Sequence, residues 1–358
     1  MCQNRRREKK MNGPERILLL NISGIGDFVD STPALRHARQ LRPNAWFTLV
    51  VAEKAFPLAR CCPYVNEVIS LPTSSGKASP KLKDSIRWLR GVWQLRRKFD
   101  IVLNLYAVAS RRGMWWSNVF SQWCGTGRTI TTSNADGIRS GASHPMDIVS
   151  LLAETPQDYE SDKFELWLSR ESLDRARDLL SHIPENKIVV FLGGERRTRH
   201  ESSERAELWL SEIQRRWGVI PVIIGTSRDP GLLPQTTIRH TDLRDKCNIE
   251  ETAAIVSKAA ALITTHSAPQ HFASVWQIPT VVIVGPGDVE RYHPNLQKDR
   301  VQLLRNPVDC SPCYYDECPW TGSEKKKCIT GIAPEAIVLA FEKIFAAPRS
   351  DCPQCRQV

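Results

Sequence analysis

A carboxylate at the mouth of a helix, just past an apolar run and two glycines, is placed to take a proton from a hydroxyl. Asp27 is such a group: it follows Leu18-Leu19-Leu20-Asn21-Ile22-Ser23-Gly24-Ile25-Gly26, and Ser31-Thr32-Pro33-Ala34-Leu35 carries on into a helical pattern. Strand, small-residue turn and helix in that order make the corner where ligands bind in an open α/β sheet. Gly24 and Gly26 let the backbone come close to a ligand, and Ser23 lies beside them. The dinucleotide fingerprint needs a third glycine three residues after the second; that position is Val29, so the segment is not that motif. Asp also favours the N-cap of a helix, and the residues alone leave base and cap both open.

Two further corners stand in the second half. Thr264-Thr265-His266-Ser267-Ala268-Pro269-Gln270-His271 follows a strand-like run and opens a helix. Ser267 is placed to cap that helix, and Pro269 suits its first turn. The free N–H groups and dipole of such a start attract phosphate, and a charged His271 would add to this. The plainer alternative is a capped helix with a surface histidine. Gly193-Gly194-Glu195-Arg196-Arg197-Thr198-Arg199-His200 also follows a strand-like run. Two glycines and three arginines suit a diphosphate, which arginine grips with paired donors; the alternative is a basic surface loop.

Cys310, Cys313, Cys318 and Cys328 have the spacing C-x2-C-x4-C-x9-C. Four thiols can hold a tetrahedral zinc or iron, and four cysteines would close the site, so its role would be structural. Free thiols in a surface loop are the alternative. Cys352 and Cys355 form a second C-x2-C, either a tail or a rival ligand pair. The chain has 11 cysteines and its first ten residues lack the apolar core of a signal peptide, which argues against a disulfide framework.

The elements that must position these groups alternate. Strands are predicted over 17–21, 45–51, 67–71 and 101–105, with helices over 31–41, 54–60 and 81–97 and a loop over 73–80. Residues 111–143, rich in Gly, Arg, Ser, Thr and Trp, fit no clear period. The second half restarts with strands over 187–192, 219–224, 261–265 and 280–284 and helices over 201–217, 249–260, 269–276 and 334–345. Alternating βα units predict parallel sheets covered on both faces. A length of 358 residues suits two domains, and 41% hydrophobic with 25% charged residues suits a soluble globular protein. No apolar run approaches the ~18 residues of a membrane span. The expected division is a basic disordered tail at 1–14, a first α/β domain at 15–165, a linker region at 166–186, a second α/β domain at 187–347 with a Cys-rich loop at 310–328, and a tail at 348–358.

The net charge of +10 favours acidic partners: nucleic acid, anionic lipid or phosphorylated substrates. The densest basic zone is 81–98. There Leu82, Ile86, Leu89 and Trp93 form a helical apolar stripe, with Lys83, Arg87, Arg90 and Arg97 off it. This reads as the solvated face of a core-packed helix, with a surface for anionic membrane lipids as the alternative.

Taken together, the segments resemble glycosyltransferase family 9, the ADP-heptose–lipopolysaccharide heptosyltransferases, from about Arg16 to about Phe345. Five blocks carry the likeness in order. They are Ser23 to Asp27 with Thr32-Pro33-Ala34-Leu35; Pro63-Tyr64-Val65-Asn66-Glu67-Val68-Ile69; Phe99 to Leu105; Thr265 to Ala273 with Pro279 to Asp288; and Cys310-Ser311-Pro312-Cys313 with the helix from Ile332 to Glu335. The resemblance implies a GT-B architecture, two Rossmann-like parallel-sheet domains facing a central cleft. The first would take the acceptor and the second the nucleotide sugar.

It further implies inverting transfer of a heptose or related sugar from an ADP-activated donor to a lipopolysaccharide core or another glycan, with no cofactor for catalysis. Asp27 matches the family's base. Ser267, Ala268, Pro269 and His271 match its donor loop. Arg199 stands nearest the family's phosphate-contacting Lys, with Arg197 and His200 as rivals, and Asp229 is the candidate for the nucleoside. Two departures stand out: His266 replaces the family's sugar-contacting Asp, and Ala268 its Gly. These keep alive a non-catalytic nucleotide-sugar-binding relative, and an enzyme acting on a protein acceptor is a further alternative. A basic nucleic-acid-binding protein would leave the corner motifs unexplained, so no nucleic acid is expected. A lipid-linked acceptor would place the chain in the cytoplasm, peripheral to the inner face of the inner membrane, with contact to anionic lipid.

Overall fold

Ile17 to Leu20 are wholly buried because their strand is central: β1 (Arg16–Asn21) pairs in parallel with β2 (Trp46–Ala52) on one side and β4 (Phe99–Asn104) on the other. The structure is a computed structural model that describes residues 13–72, 82–105, 111–130, 149, 152, 163–287 and 300–345. The basic segment 1–10, the loop expected over 73–80, Asp288 and the Cys352/Cys355 pair lie outside the described residues. The chain divides into two units, Met1–Ser161 and Asp162–Val358.

The first unit is a five-stranded parallel sheet of order β3-β2-β1-β4-β5, with β3 at Glu67–Leu71 and β5 at Gly125–Ile130. Its helices are α1 (Ile25–Asp30), α2 (Thr32–Leu41), α3 (Phe56–Ala59), α4 (Leu82–Gln94) and α5 (Arg111–Cys124). Strand order reverses between β1 and β4, so the loop after β1 opens at the switch point, where such sheets bind ligands.

The predicted helix over 81–97 is present as α4, but its burial is not as expected. Ile86, Leu89 and Trp93, the apolar stripe, are exposed, while Leu95 just beyond the helix is buried. The cause is a close approach: a Cβ at Gly91 would stand 2.5 Å from Leu71 Cδ2. The helix meets β3 through its Gly91 side, and the stripe is turned outward. The reading of a core-packed helix with a solvated basic face is thereby corrected. α5 and β5 fill part of the segment that showed no sequence period.

The second unit is a six-stranded parallel sheet of order β11-β10-β9-β6-β7-β8. Its strands are β6 (Lys187–Phe191), β7 (Ile220–Ile223), β8 (Thr241–Asp242), β9 (Ala261–Thr265), β10 (Thr280–Ile283) and β11 (Val301–Leu304). Its helices are α6 (Arg170–Leu180), α7 (Ser203–Trp217), α8 (Ile249–Ser257), α9 (Ala268–Trp276), α10 (Lys327–Thr330) and α11 (Pro334–Phe345). The starts of three follow from their caps. Ser169 Oγ accepts from Ser172 N, Ser202 Oγ from Arg205 N, and Asn248 Oδ1 from the N–H groups of Glu250 and Glu251. α6 lies within the segment expected as a linker, and the Ser169 N–H before it donates to Glu250 on α8.

The core of this unit centres on Trp209 of α7, wholly buried with Ile188 and Val190 of β6, Ile263 of β9 and Phe341 of α11. Trp209→Ala is expected to lower the stability of this unit by about 3–5 kcal/mol, read as a fall in the urea midpoint followed by circular dichroism. A loss below about 1 kcal/mol would mean that the site collapses around the deleted ring.

Candidate active site

In the second unit the strand order reverses between β6 and β9, which pair from Ile188↔Ala261 to Phe191↔Thr264. Both leave the sheet at the same edge, so the glycine-arginine loop and the start of α9 emerge side by side. They are fastened together: Thr265 Oγ1 donates to Gly193 O at 2.5 Å, and Arg199 Nη1 donates to His266 O at 3.2 Å. Of the three rival cations, Arg199 is the one brought to this switch point. Arg197 is exposed and pairs with Glu317 at 2.9 Å. His200 Nε2 meets Gly194 O at 2.9 Å and stands 3.9 Å from Asp229 Oδ1.

Asp229 holds backbone. Its Oδ1 accepts from Gly194 N at 3.1 Å, and its Oδ2 accepts from Thr226 N at 2.8 Å and Thr226 Oγ1 at 2.9 Å. The carboxylate thus ties the loop after β6 to the loop after β7. The approach leaves no room at position 193, where a Cβ would stand 1.9 Å from Asp229 Oδ1. Arg244 closes the rear of this knot, with Nη1 on Asp229 O at 2.9 Å and a paired grip on Asp242. The Arg244 guanidinium holds the Asp242 carboxyl below the usual carboxylate range, outweighing the opposing effect of burial.

The start of α9 differs in part from expectation. Ser267 occupies the N-cap with extended backbone, but its side chain makes no capping bond. Ala268 and Pro269 form the first turn as expected. His271 is buried, neither a surface histidine nor an exposed cation, and its Nε2 lies 3.4 Å from Gln270 Nε2. His266 is buried too, its ring closed against the Gly285-Pro286-Gly287 turn; a Cβ at Gly287 would stand 1.8 Å from His266 Nδ1.

The Cys-rich segment braces the same loop. Thr198 N donates to Asp316 O at 2.9 Å and Thr198 Oγ1 to Tyr315 O at 2.8 Å. The Arg196 guanidinium lies 5.3 Å from the Tyr314 ring, and Lys326 Nζ donates to His200 O. Cys313 N reaches Pro286 O at 3.0 Å, joining the brace to the turn beneath His266. Cys310, Cys313, Cys318 and Cys328 are free thiols. Burial pushes the Cys328 thiol up to about 11, and the neighbouring Cys310, Cys318 and Cys313 add to the rise. Among the described residues, no group of three or more His, Cys, Asp or Glu is arranged to hold a metal ion. The donor chemistry fits zinc or iron, while the thiols as placed do not close a ligand set.

In the first unit, Asp27 lies in the first turn of α1, and its Oδ2 accepts from Gly24 N at 2.8 Å. It does cap the turn, but with one oxygen. Among the described residues nothing donates to Oδ1, and the side chain is only half-buried. The two uses of Asp27 that the sequence left open are therefore compatible. Asn21, the buried end of β1, steadies the loop: its Nδ2 donates to Ser31 Oγ at 2.8 Å, and its Oδ1 accepts from Ser23 Oγ. Asn21, Thr265, Gly287 and Lys326 were not singled out in the sequence. A polar residue ending an otherwise apolar strand was the available signal for the first two; nothing local marks the others.

Two doubly wound parallel-sheet units, each with a switch-point corner built around polar side chains, give the chain the GT-B fold class. Residues 146–323 match the family model of glycosyltransferase family 9 (heptosyltransferase). It is 26% identical over 113 residues to lipooligosaccharide heptosyltransferase 2 of Campylobacter jejuni serotype O:6 (strain 81116), an alignment covering 32% of this chain and 34% of that relative. The chain thus spans about a third of the length of that relative. With lipopolysaccharide heptosyltransferase 1 of Pseudomonas aeruginosa it is 21% identical over 372 residues, 94% of this chain and 99% of the relative. The family 9 glycosyltransferase structure from Veillonella parvula superposes with a TM-score of 0.70 at 19% identity, covering 94% of this chain and 98% of that one. An iron-containing dodecameric glycosyltransferase, TibC of enterotoxigenic Escherichia coli, superposes with a TM-score of 0.57 at 12% identity, covering 94% and 77%.

Gly193→Ala is expected to break the Asp229 tether and lower thermal stability by about 1–3 kcal/mol. Differential scanning calorimetry checks this, and an unchanged melting temperature would show that the two loops are not bound through Asp229.

Proposed function

We propose that this chain is an inverting heptosyltransferase that moves a heptose from ADP-heptose to a sugar of a lipid-linked lipopolysaccharide core. The observation that carries the reading is Asp27: a carboxylate at a switch point, fixed by one oxygen and open at the other. Asp27 Oδ1 takes the acceptor hydroxyl proton as that oxygen attacks the anomeric carbon. The bond from the anomeric carbon to ADP breaks, its electron pair leaves on the diphosphate, and the configuration inverts. Arg199 and the first-turn N–H groups of α9 neutralise the diphosphate as its charge develops. Base, cation and positioning suffice for such a step, with no cofactor invoked.

His266, Ser267, Ala268 and Pro269 line the donor corner, with His266 shaping the sugar's seat from behind. His271 supports α9 from within, and Asp229 acts by holding the loop rather than by touching the nucleoside. Ser23, Gly24 and Gly26 form the acceptor-side loop around Asp27. The non-catalytic alternative is not favoured, since the matching relatives are named as transferases. A lipid-linked acceptor brings the enzyme to the cytoplasmic face of a membrane carrying anionic lipid. Among the described residues no helix is long and apolar enough to cross one.

Asp27→Asn is expected to cut turnover about 10²–10⁴-fold while ADP still raises the melting temperature; ADP release from ADP-heptose with truncated lipopolysaccharide as acceptor measures it. Full activity in that variant would remove Asp27 from the role of base. Arg199→Ala is expected to lose the stabilisation by ADP and ADP-heptose. Stabilisation by a UDP- or GDP-sugar instead would keep the fold and discard the heptose donor.

We propose that the four cysteines of the brace hold a structural zinc or iron that would stiffen the donor loop, on the ground of their C-x2-C-x4-C-x9-C spacing and of the iron-containing TibC that shares the fold. Elemental analysis of the purified full chain should find about one metal per chain, lost in Cys313→Ser. A metal-free, fully active protein would overturn the assignment.

A further inference from the structure

Among the described residues, the outward side of α4 and α5 is a feature that the two corners leave unused. On α4, Ile86 and Trp88 are each 40% exposed, Leu89 61% and Trp93 63%; on α5, Trp115 is 57% exposed, and Val119 and Trp123 are 38% each. Trp115, Val119 and Trp123 recur every fourth residue, along one side of their helix. The two helices are neighbours. The Trp88 ring lies 6.4 Å from Phe120 and the Trp93 ring 6.2 Å from Trp123, and Trp123 Nε1 donates to Val92 O at 3.3 Å. They thus form one apolar surface, of the kind that marks an interaction site when left uncovered.

Its charge is of one sign. From Leu82 to Lys98 the sequence carries six basic residues against one acidic, and α5 has no acidic residue. Arg90, Arg97 and Lys98 are exposed. Arg87 is half-exposed and pairs with Glu53 at 2.9 Å. The Arg96 guanidinium stands 5.2 Å from the Trp93 ring and 4.8 Å from the Trp123 ring, so a cation is held among the indoles. Indoles bury their apolar body and keep a polar edge wet, which suits the headgroup layer of a bilayer. Arginines and lysines around them suit anionic lipid. The aliphatic members, Ile86, Leu89 and Val119, gain from acyl chains and gain nothing from stacking on bases. That favours a bilayer over nucleic acid.

We propose that the α4–α5 face seats this protein on an anionic lipid bilayer. The proposal deepens the reading of a lipid-linked acceptor and rests on it for its purpose, but it can be tested without any acceptor. The full chain is mixed with phosphatidylcholine vesicles, with or without phosphatidylglycerol and free of glycolipid, and sedimented. Binding is expected only with phosphatidylglycerol, and raised salt should weaken it.

Trp93→Ser combined with Trp115→Ser should lower the partition at least about tenfold. Arg90→Gln and Lys98→Gln should each lower it about fivefold. Stabilisation by ADP should be unchanged in all of them, since the donor loops lie in the second unit, and this also certifies that the variants fold. Absence of vesicle binding in the wild type, or undiminished binding in the tryptophan variant, overturns the proposal. So does an oligomer that the tryptophan variant dissolves without any vesicle binding, which would make the face an interface between copies. RNA binding lost in that variant without vesicle binding overturns it too. Vesicle binding with no transfer to any acceptor would remove the transferase reading alone. Transfer to a deacylated acceptor with no vesicle binding would remove the docking face alone.

Discussion

The pairing of β6 with β9 is the constraint on which the second unit depends. Chain order and spatial order disagree there: the chain leaves β6 to build β7 and β8 on one side, then returns to lay β9 on the other. The two strand ends are direct neighbours, so their loops face one another across a single strand spacing. Two contacts across the strand ends follow from this adjacency. Thr265 reaches Gly193 and Arg199 reaches His266 because strand registry has already placed their backbones side by side. The buried apolar residues of the strands around Trp209 supply the stability, and the corner spends a little of it on close approaches such as Gly193 to Asp229.

The first unit solves the same problem with fewer parts. Its switch point lies between β1 and β4, and the loop after β1 is held by hydrogen bonds from Asn21, Ser23 and Gly24. Hydrogen bonds to charged groups outweigh those between neutral groups. Placing one oxygen of Asp27 on the Gly24 N–H therefore stiffens the loop more than a neutral cap would. The carboxylate is oriented by the bond that makes it look merely structural, so the cap and the proposed base, rivals in the sequence, are compatible in one residue.

Most of the architecture was legible because hydrophobic period and strand-ending glycines report directly on parallel βα units. β3, β9 and α11 lie at the expected bounds, and other strands such as β1 and β2 differ by a residue at an end. What escaped has a physical reason. α5 carries tryptophans on its solvent side, so its apolar residues mark no buried stripe. α4 has a stripe, but the contact of Gly91 with Leu71 rather than the stripe decides which side is buried. At the site, Asp27 and the loop arginines were visible from their places after strands. The choice of Arg199 over Arg197 was not, because it depends on Glu317, well over a hundred residues away. The burial of His271 and the idle hydroxyl of Ser267 likewise depend on how α9 lies against its sheet, which no local pattern encodes.

Each bond that frames the corner of the second unit joins a side chain to the main chain: Thr265, His200, Lys326, Arg199 and Asp229 on one side, and the carbonyls of Gly193, Gly194, His200 and His266 and the amides of Gly194 and Thr226 on the other. A frame of that kind is indifferent to the identity of many side chains it carries. His266 contributes its carbonyl to Arg199 whatever its ring does, provided the turn at Gly287 leaves room. The side chain at position 266 can therefore change without unseating the bond from Arg199. The same economy has a limit at position 193, where any side chain would press on the Asp229 carboxylate that holds the loop.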